Sequence, residues 1–174
     1  MKNTFQFLAL SFLLLVANNL VAQTDTLKKE PELVWYTDLM KAKELSTATN
    51  KPIFAFFTGS DWCGWCKKLQ RDVFAKPEFI EWASKNVILL ELDFPRNKPL
   101  SPELTKQNAD LQQAFQVRGY PTIWMFFVTT GEDTAKFNIE ALGSLGYPQG
   151  AEVGNEQIKF LQDANLVLLN KVAK

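Results

Sequence analysis

Two runs of this chain carry apolar side chains at nearly consecutive positions: PIFAFF at 52–57 and VILLELDF at 87–94. A strand with water on one face alternates apolar and polar residues, so runs of this kind call for strands covered on both faces. Helices must supply that cover, and the sequence offers them around the runs. Trp35, Leu39, Ala42 and Leu45 recur at helical spacing. The helix they predict starts near Thr37, whose hydroxyl can cap it, and ends before Asn50-Lys51-Pro52. CGWCKKLQRDVF opens a second helix. Ala75-Lys76-Pro77 interrupts it, and PEFIEWASKN continues with Phe79, Ile80 and Ala83 inward.

After the second apolar run, residues 95–101 are loop-like, with prolines at 95, 99 and 102. Pro102 suits the first turn of a helix that extends to about Gln116, with Leu104, Leu111, Ala114 and Phe115 inward. RGYPT then breaks the chain. TIWMFFV and the alternating KFNIEAL, joined by a turn at 130–133, predict a hairpin. A glycine-rich loop, GSLGYPQGAEVG, leads to a last amphipathic helix over 155–170 through Ile158, Leu161, Ala164 and Leu168. The expected class is α/β: a central mixed sheet, parallel in its front half and antiparallel in its C-terminal hairpin, with helices on both faces.

The chain starts with Met1-Lys2-Asn3, the apolar FQFLALSFLLLVA and the small-residue stretch NNLVAQ. The apolar run is shorter than the roughly 20 residues a membrane-spanning helix needs. It reads as a secretory signal over 1–22, cleaved after Ala22, followed by a polar lead-in over 23–32 and one domain over 33–174. The alternative is an uncleaved membrane anchor. Lysine plus arginine and aspartate plus glutamate both number 19, so no electrostatic footprint for nucleic acid is present.

Export bears on the two cysteines, Cys63 and Cys66, because thiols in an oxidising compartment do not stay reduced unaided. Three readings of Cys63-Gly64-Trp65-Cys66 compete. Zinc needs about four ligands, and with two cysteines and no histidine the chain would have to complete the set with carboxylates. A structural disulfide would close a very short loop, where loop-closure entropy returns least. A redox pair uses the spacing directly. Cys63 at a helix start meets unpaired N–H groups and the positive end of the dipole, both of which favour a thiolate. Cys66, one turn on, is placed to attack a mixed disulfide made by Cys63. The strand before the motif delivers both to the carboxyl edge of the sheet.

GYPT, with Pro121 lying 55 positions after Cys66, sharpens this reading. An apolar strand, WCGWCKK, a helix and then RGYPT opening a hairpin together resemble the thioredoxin superfamily. Within it they are most similar to exported thioredoxin-like proteins with F-T-G-S-x-W-C-x-W-C-K-K. The resemblance runs from about Leu33 to the C-terminus. It implies a thioredoxin-like fold and a thiol–disulfide oxidoreductase whose only redox group is the Cys63–Cys66 disulfide, with no cofactor and no metal. By the resemblance Cys63 is the nucleophile and Cys66 the resolving cysteine. Pro121 matches the family's cis-proline, and Tyr120 before it offers backbone to a substrate strand. Trp62 walls the site, with Gly64 and Trp65 supporting.

Two departures from the family pattern matter. The strand before the motif lacks the buried aspartate of many thioredoxins, leaving Asp61 and Asp93 as substitutes for handling protons. Lys67 and Lys68 are positioned to act by charge. Trp65 stands where thioredoxins have proline and strong oxidants often have histidine. The family's potentials run from about −270 to about −120 mV, and the missing histidine points to a reductant or general exchanger. Expected partners are exported protein thiols and disulfides in the periplasm or outside the cell, with a membrane electron donor or acceptor. The alternative is a non-catalytic peptide-binding module with a permanently closed disulfide.

Overall fold

PIFAFF forms the centre of the molecule. The computed structural model describes residues 32–130 and 137–170. In it Ile53–Thr58 (β2) lies between a parallel neighbour, Ile88–Asp93 (β3), and an antiparallel one, Thr122–Thr130 (β4). The short strand Trp35–Tyr36 (β1) runs parallel outside β3, and Phe137–Leu145 (β5) pairs antiparallel with β4. The sheet order is therefore β1-β3-β2-β4-β5. Side chains of β2 alternate between two apolar layers, and all are buried. Phe54 and Phe56 enter one layer, and Ile53, Ala55 and Phe57 the other. This is the two-sided burial that the continuous run calls for.

The first layer is closed by Gly64–Leu69 (α2), which continues through a π-helical turn at Gln70–Phe74, and by Pro77–Asn86 (α3) and Glu156–Leu169 (α5). Leu69, Val73, Phe74, Phe79 and Phe160 pack there with Phe54 and Phe56, and both cysteines belong to the same cluster. Leu39–Thr49 (α1) and Pro102–Ala114 (α4) close the opposite face. On that side Ala42, Leu111 and Phe115 meet Phe57, Leu90, Leu92 and Phe126. The mixed sheet with helices on both faces is as expected.

Several local expectations are corrected. Trp35 does not head the first helix. It sits in β1 opposite Leu89, with its ring beside Phe54, Phe56 and Phe74. The cap of α1 is Asp38 rather than Thr37: its Oδ1 accepts from Met40 N at 2.6 Å and Lys41 N at 3.2 Å, and a carboxylate also complements the helix dipole. Ala114 and Ile158, expected inward, are exposed, because α4 and α5 each bury only a narrow stripe. Gly143, Ser144 and Leu145, read as loop, extend β5, because pairing with Met125, Trp124 and Ile123 satisfies their backbone. A bulge beside Met125 and Phe126 absorbs the irregular register. Gly143 lets α5 approach closely, since a Cβ there would lie 3.2 Å from the Val167 methyls. The signal and most of the lead-in fall outside the described residues, as does the hairpin turn beyond Thr130.

Phe54 is fully buried among the rings of Trp35, Phe74, Phe79, Trp82 and Phe160, with centroids 5.8–6.3 Å away. Phe54→Ala should cost about 3–5 kcal/mol, read from the urea midpoint. A loss below about 1 kcal/mol would remove β2 from the centre of the core.

Candidate active site

The site begins where β2 stops. The carbonyl of Gly59 accepts from Trp62 N at 3.2 Å and Cys63 N at 2.8 Å, forming a tight turn. The Trp62 indole lies flat against Gly59, and a Cβ at that glycine would come within 2.4 Å of the ring, so no larger residue fits. The turn leaves Cys63 in extended conformation as the N-cap of α2, and its Sγ accepts from Cys66 N at 3.1 Å. Cys63 and Cys66 are joined as a disulfide. Cys63 retains 5% exposure and Cys66 has none. Cys63 is thus the less completely buried of the two.

The start of β4 comes to the same end of the sheet. The Tyr120–Pro121 peptide bond is cis. The β2–β4 ladder runs down to Phe57 opposite Thr122, leaving Tyr120 and Pro121 just beyond it. The Tyr120 ring meets Trp62 edge-on at 5.7 Å and stacks on Phe94 at 5.2 Å, while its hydroxyl accepts from Gln112 Nε2 at 2.7 Å. Trp62 is held in turn by Nε1 donating to Phe94 O at 2.8 Å, with the Arg96 guanidinium over its ring at 4.0 Å. A second aromatic pair flanks the disulfide. Trp65, 57% exposed, meets Tyr147 edge-on at 5.2 Å.

Residues 34–127 match the model of the family described as Thioredoxin-like. The chain belongs to the thioredoxin-like family. It is 35% identical over 107 residues to the disulfide bond reductase DsbH of Chlamydia pneumoniae, covering 62% of this chain and 64% of the relative. It is 25% identical over 135 residues to the thioredoxin-related protein DsbJ of the same organism, covering 78% of this chain and 37% of the relative. The matched stretch thus spans less than two thirds of either relative. A solved structure of a DsbH oxidoreductase superposes with a TM-score of 0.62 at 25% identity, covering 80% of this chain and 87% of that one. Cys63 and Cys66 are accordingly a CxxC-type pair in a thioredoxin-like protein.

Other groups in this thioredoxin-like site hold loops together. The Asp61 carboxylate accepts from Asn97 N at 2.6 Å and from Arg96 N at 3.1 Å, and these bonds, Asn97 first, hold its pKa below the usual range. It fastens the loop after β3 to the cysteine turn. The buried Asp93 accepts from Ser60 N at 2.8 Å and Ser60 Oγ at 2.6 Å, and its carbonyl accepts from Asn108. Lys67 donates to the Asp61 carbonyl at 3.2 Å. Lys68 is engaged with Asp72 at 2.5 Å and with the Tyr147 hydroxyl. An open cavity of about 530 Å³ lies beneath the loop after β3, lined from Asp93 to Leu100 with Thr105 and Asn108, and neither cysteine lines it.

Sequence reasoning passed over Glu91, Arg96, Asp72 and Tyr147. Burial pushes the Glu91 carboxyl upward, with the Asp93 charge adding to it. Its signal was an acid inside an apolar run. Asp72 follows Lys68 at helical i,i+4 spacing, which was also available. Nothing in the sequence connects Tyr147 with Trp65.

The Asp72 carboxyl is lowered from the ordinary 3.8 to about 2, first by the hydrogen bond from Lys68 and then by those from Arg71 and Tyr147, against an opposing desolvation. A group depressed in the fold stabilises above its unfolded pKa and loses that contribution as pH falls from about 4 to about 2. Asp72→Asn should lose about 1 kcal/mol at pH 7 after solvent screening, and its stability should fall less steeply across that window. Acid titrations of unfolding with equal slopes for both proteins would contradict the assignment.

Proposed function

We propose that the protein is a thiol–disulfide oxidoreductase for exported protein substrates, acting as a reductant or general exchanger rather than as a strong oxidant. The observation that carries this reading is the asymmetry of the pair: one cysteine with slight residual exposure at a helix start, the other fully buried one turn on. A relative named as a disulfide bond reductase favours the reductive direction. The apolar N-terminal stretch of the sequence favours export.

In the reduced protein the Cys63 thiolate gains from the Cys66 N–H and the start of α2. It attacks one sulfur of a substrate disulfide, forming a mixed disulfide, and the other substrate sulfur leaves as a thiolate that takes up a proton. Cys66 gives up its proton and attacks Cys63 Sγ. The 63–66 bond closes and the second substrate thiol departs. Two electrons have passed to the substrate, and a dithiol donor, for which a membrane relay is suited, must restore the pair. Tyr120 and Pro121, just outside the β2–β4 ladder, form the edge for an extended substrate segment. Trp62, Gly64 and Trp65 shape the approach. Asp61, Asp93 and Lys67 act on the sulfurs through the loops they fix.

Cys66→Ser should trap covalent adducts with substrate proteins, whereas Cys63→Ser should trap none, as seen on non-reducing gels. Equal trapping by both would contradict the roles. Titration against glutathione should place the couple above about −300 mV. A value well below that would leave the closed-disulfide binding module as the better reading.

A further inference from the structure

We propose that Trp65 and Tyr147 form an apolar shelf that selects substrates with a large apolar side chain beside the cysteine under attack. The inference rests on the oxidoreductase reading and specifies its substrate class. Trp65 lies between the two cysteines in sequence, in the first turn of α2, two residues from Cys63. At 57% exposure it leaves much of an indole face to solvent.

That face is held in place from behind. Tyr147 meets it edge-on at 5.2 Å. The Tyr147 hydroxyl donates to Asp72 Oδ2 at 3.0 Å and accepts from Lys68, whose ammonium also lies 4.6 Å from the Tyr147 ring centroid. Arg71 Nε binds Asp72 at 2.8 Å, and Glu156 Oε1 stands 3.9 Å from Lys68. Two cations and two anions thus neutralise one another behind the ring, leaving no net charge to draw a charged substrate. Tyr147 also lies beside the substrate edge. It follows Gly146, where a Cβ would stand 3.9 Å from the Pro121 carbonyl, and Leu145 pairs with Ile123.

The other aromatic pair is finished differently. Arg96 covers Trp62 at 4.0 Å, and both Trp62 Nε1 and the Tyr120 hydroxyl have partners. Among the described residues, the cations stacked on rings at this end lie over Tyr147 and Trp62 and not over Trp65. An extended strand projects alternate side chains to opposite faces, so one flanking residue of a substrate can settle on the open indole. A free Trp65 would give up rotamer freedom on binding, and the Tyr147 brace lowers that cost. Tyr147 is in this sense a positioning residue.

Two peptides, each closed by one disulfide and differing only in leucine or serine on both sides of the attacked cysteine, test the shelf. Reduction rates by the reduced protein are divided by those with dithiothreitol, which removes intrinsic differences in the disulfides. The leucine peptide should be favoured about tenfold, equivalent to about 1.4 kcal/mol. Tyr147→Ala should reduce that preference below about threefold, and Tyr147→Phe, which keeps the ring, should retain most of it. Equal normalised rates with the native protein overturn the shelf while leaving the oxidoreductase reading intact. A preference undiminished in Tyr147→Ala overturns the part given to Tyr147. Reduction of neither peptide overturns the underlying reading, and the shelf with it. Should Tyr147→Ala not fold, the native ratio decides the shelf and Tyr147→Phe the brace.

Discussion

Burial of β2 on both faces is the constraint from which the site follows. Five consecutive side chains, Ile53 to Phe57, are wholly withdrawn from water, alternately into two layers. A strand so placed has almost no freedom to slide, because a one-residue slip would exchange its layers. Its end is fixed as firmly as its middle, and Gly59 turns the chain within a single step. Cys63 then falls at the start of α2, and α2 is anchored in the same core through Leu69, Val73 and Phe74. The position of the sulfurs is thus set by packing well below them.

Polar groups around the cysteines have a similar logic. Asp61 and Asp93 look from the sequence like proton carriers. In the fold each carboxylate joins two segments remote in sequence: Asp61 to the backbone at 96 and 97, and Asp93 to Ser60. For Asp61 the backbone donors stabilise the charged form and hold its pKa below the usual range. Glu91 is the contrasting acid, half-buried, with its pKa pushed upward by burial and then by the Asp93 charge.

Period and breaker signals made most of the architecture readable in advance. PIFAFF, the Pro77 helix start, the Pro102 helix start and the alternation after the hairpin each carry local information that the tertiary structure keeps. What was lost depended on partners. Trp35 satisfies a helical spacing, yet a strand edge beside Leu89 and a pocket of phenylalanines outweigh that preference. Gly143 to Leu145 read as loop because glycine and serine are poor strand formers, and pairing across β4 overrides this. In the site, the cysteines, Trp62 and Pro121 were recognisable from motif order. Tyr147 was not, since its importance comes from a loop folding back across the motif, which neither spacing nor composition encodes.

The disulfide itself is of little use to such a fold. It closes a loop across a sequence separation of three, where the entropy removed from the unfolded chain is least. Meanwhile α2 is secured by a continuous cluster of large aromatic residues that includes Phe54, Phe56, Phe74, Phe79 and Phe160. A bond that the architecture does not require can open without unfolding what surrounds it. The two cysteines meet different surroundings: Cys63 Sγ accepts from the Cys66 N–H at the helix start, whereas Cys66 is completely buried. We propose that this difference in surroundings assigns attack to Cys63 and resolution to Cys66.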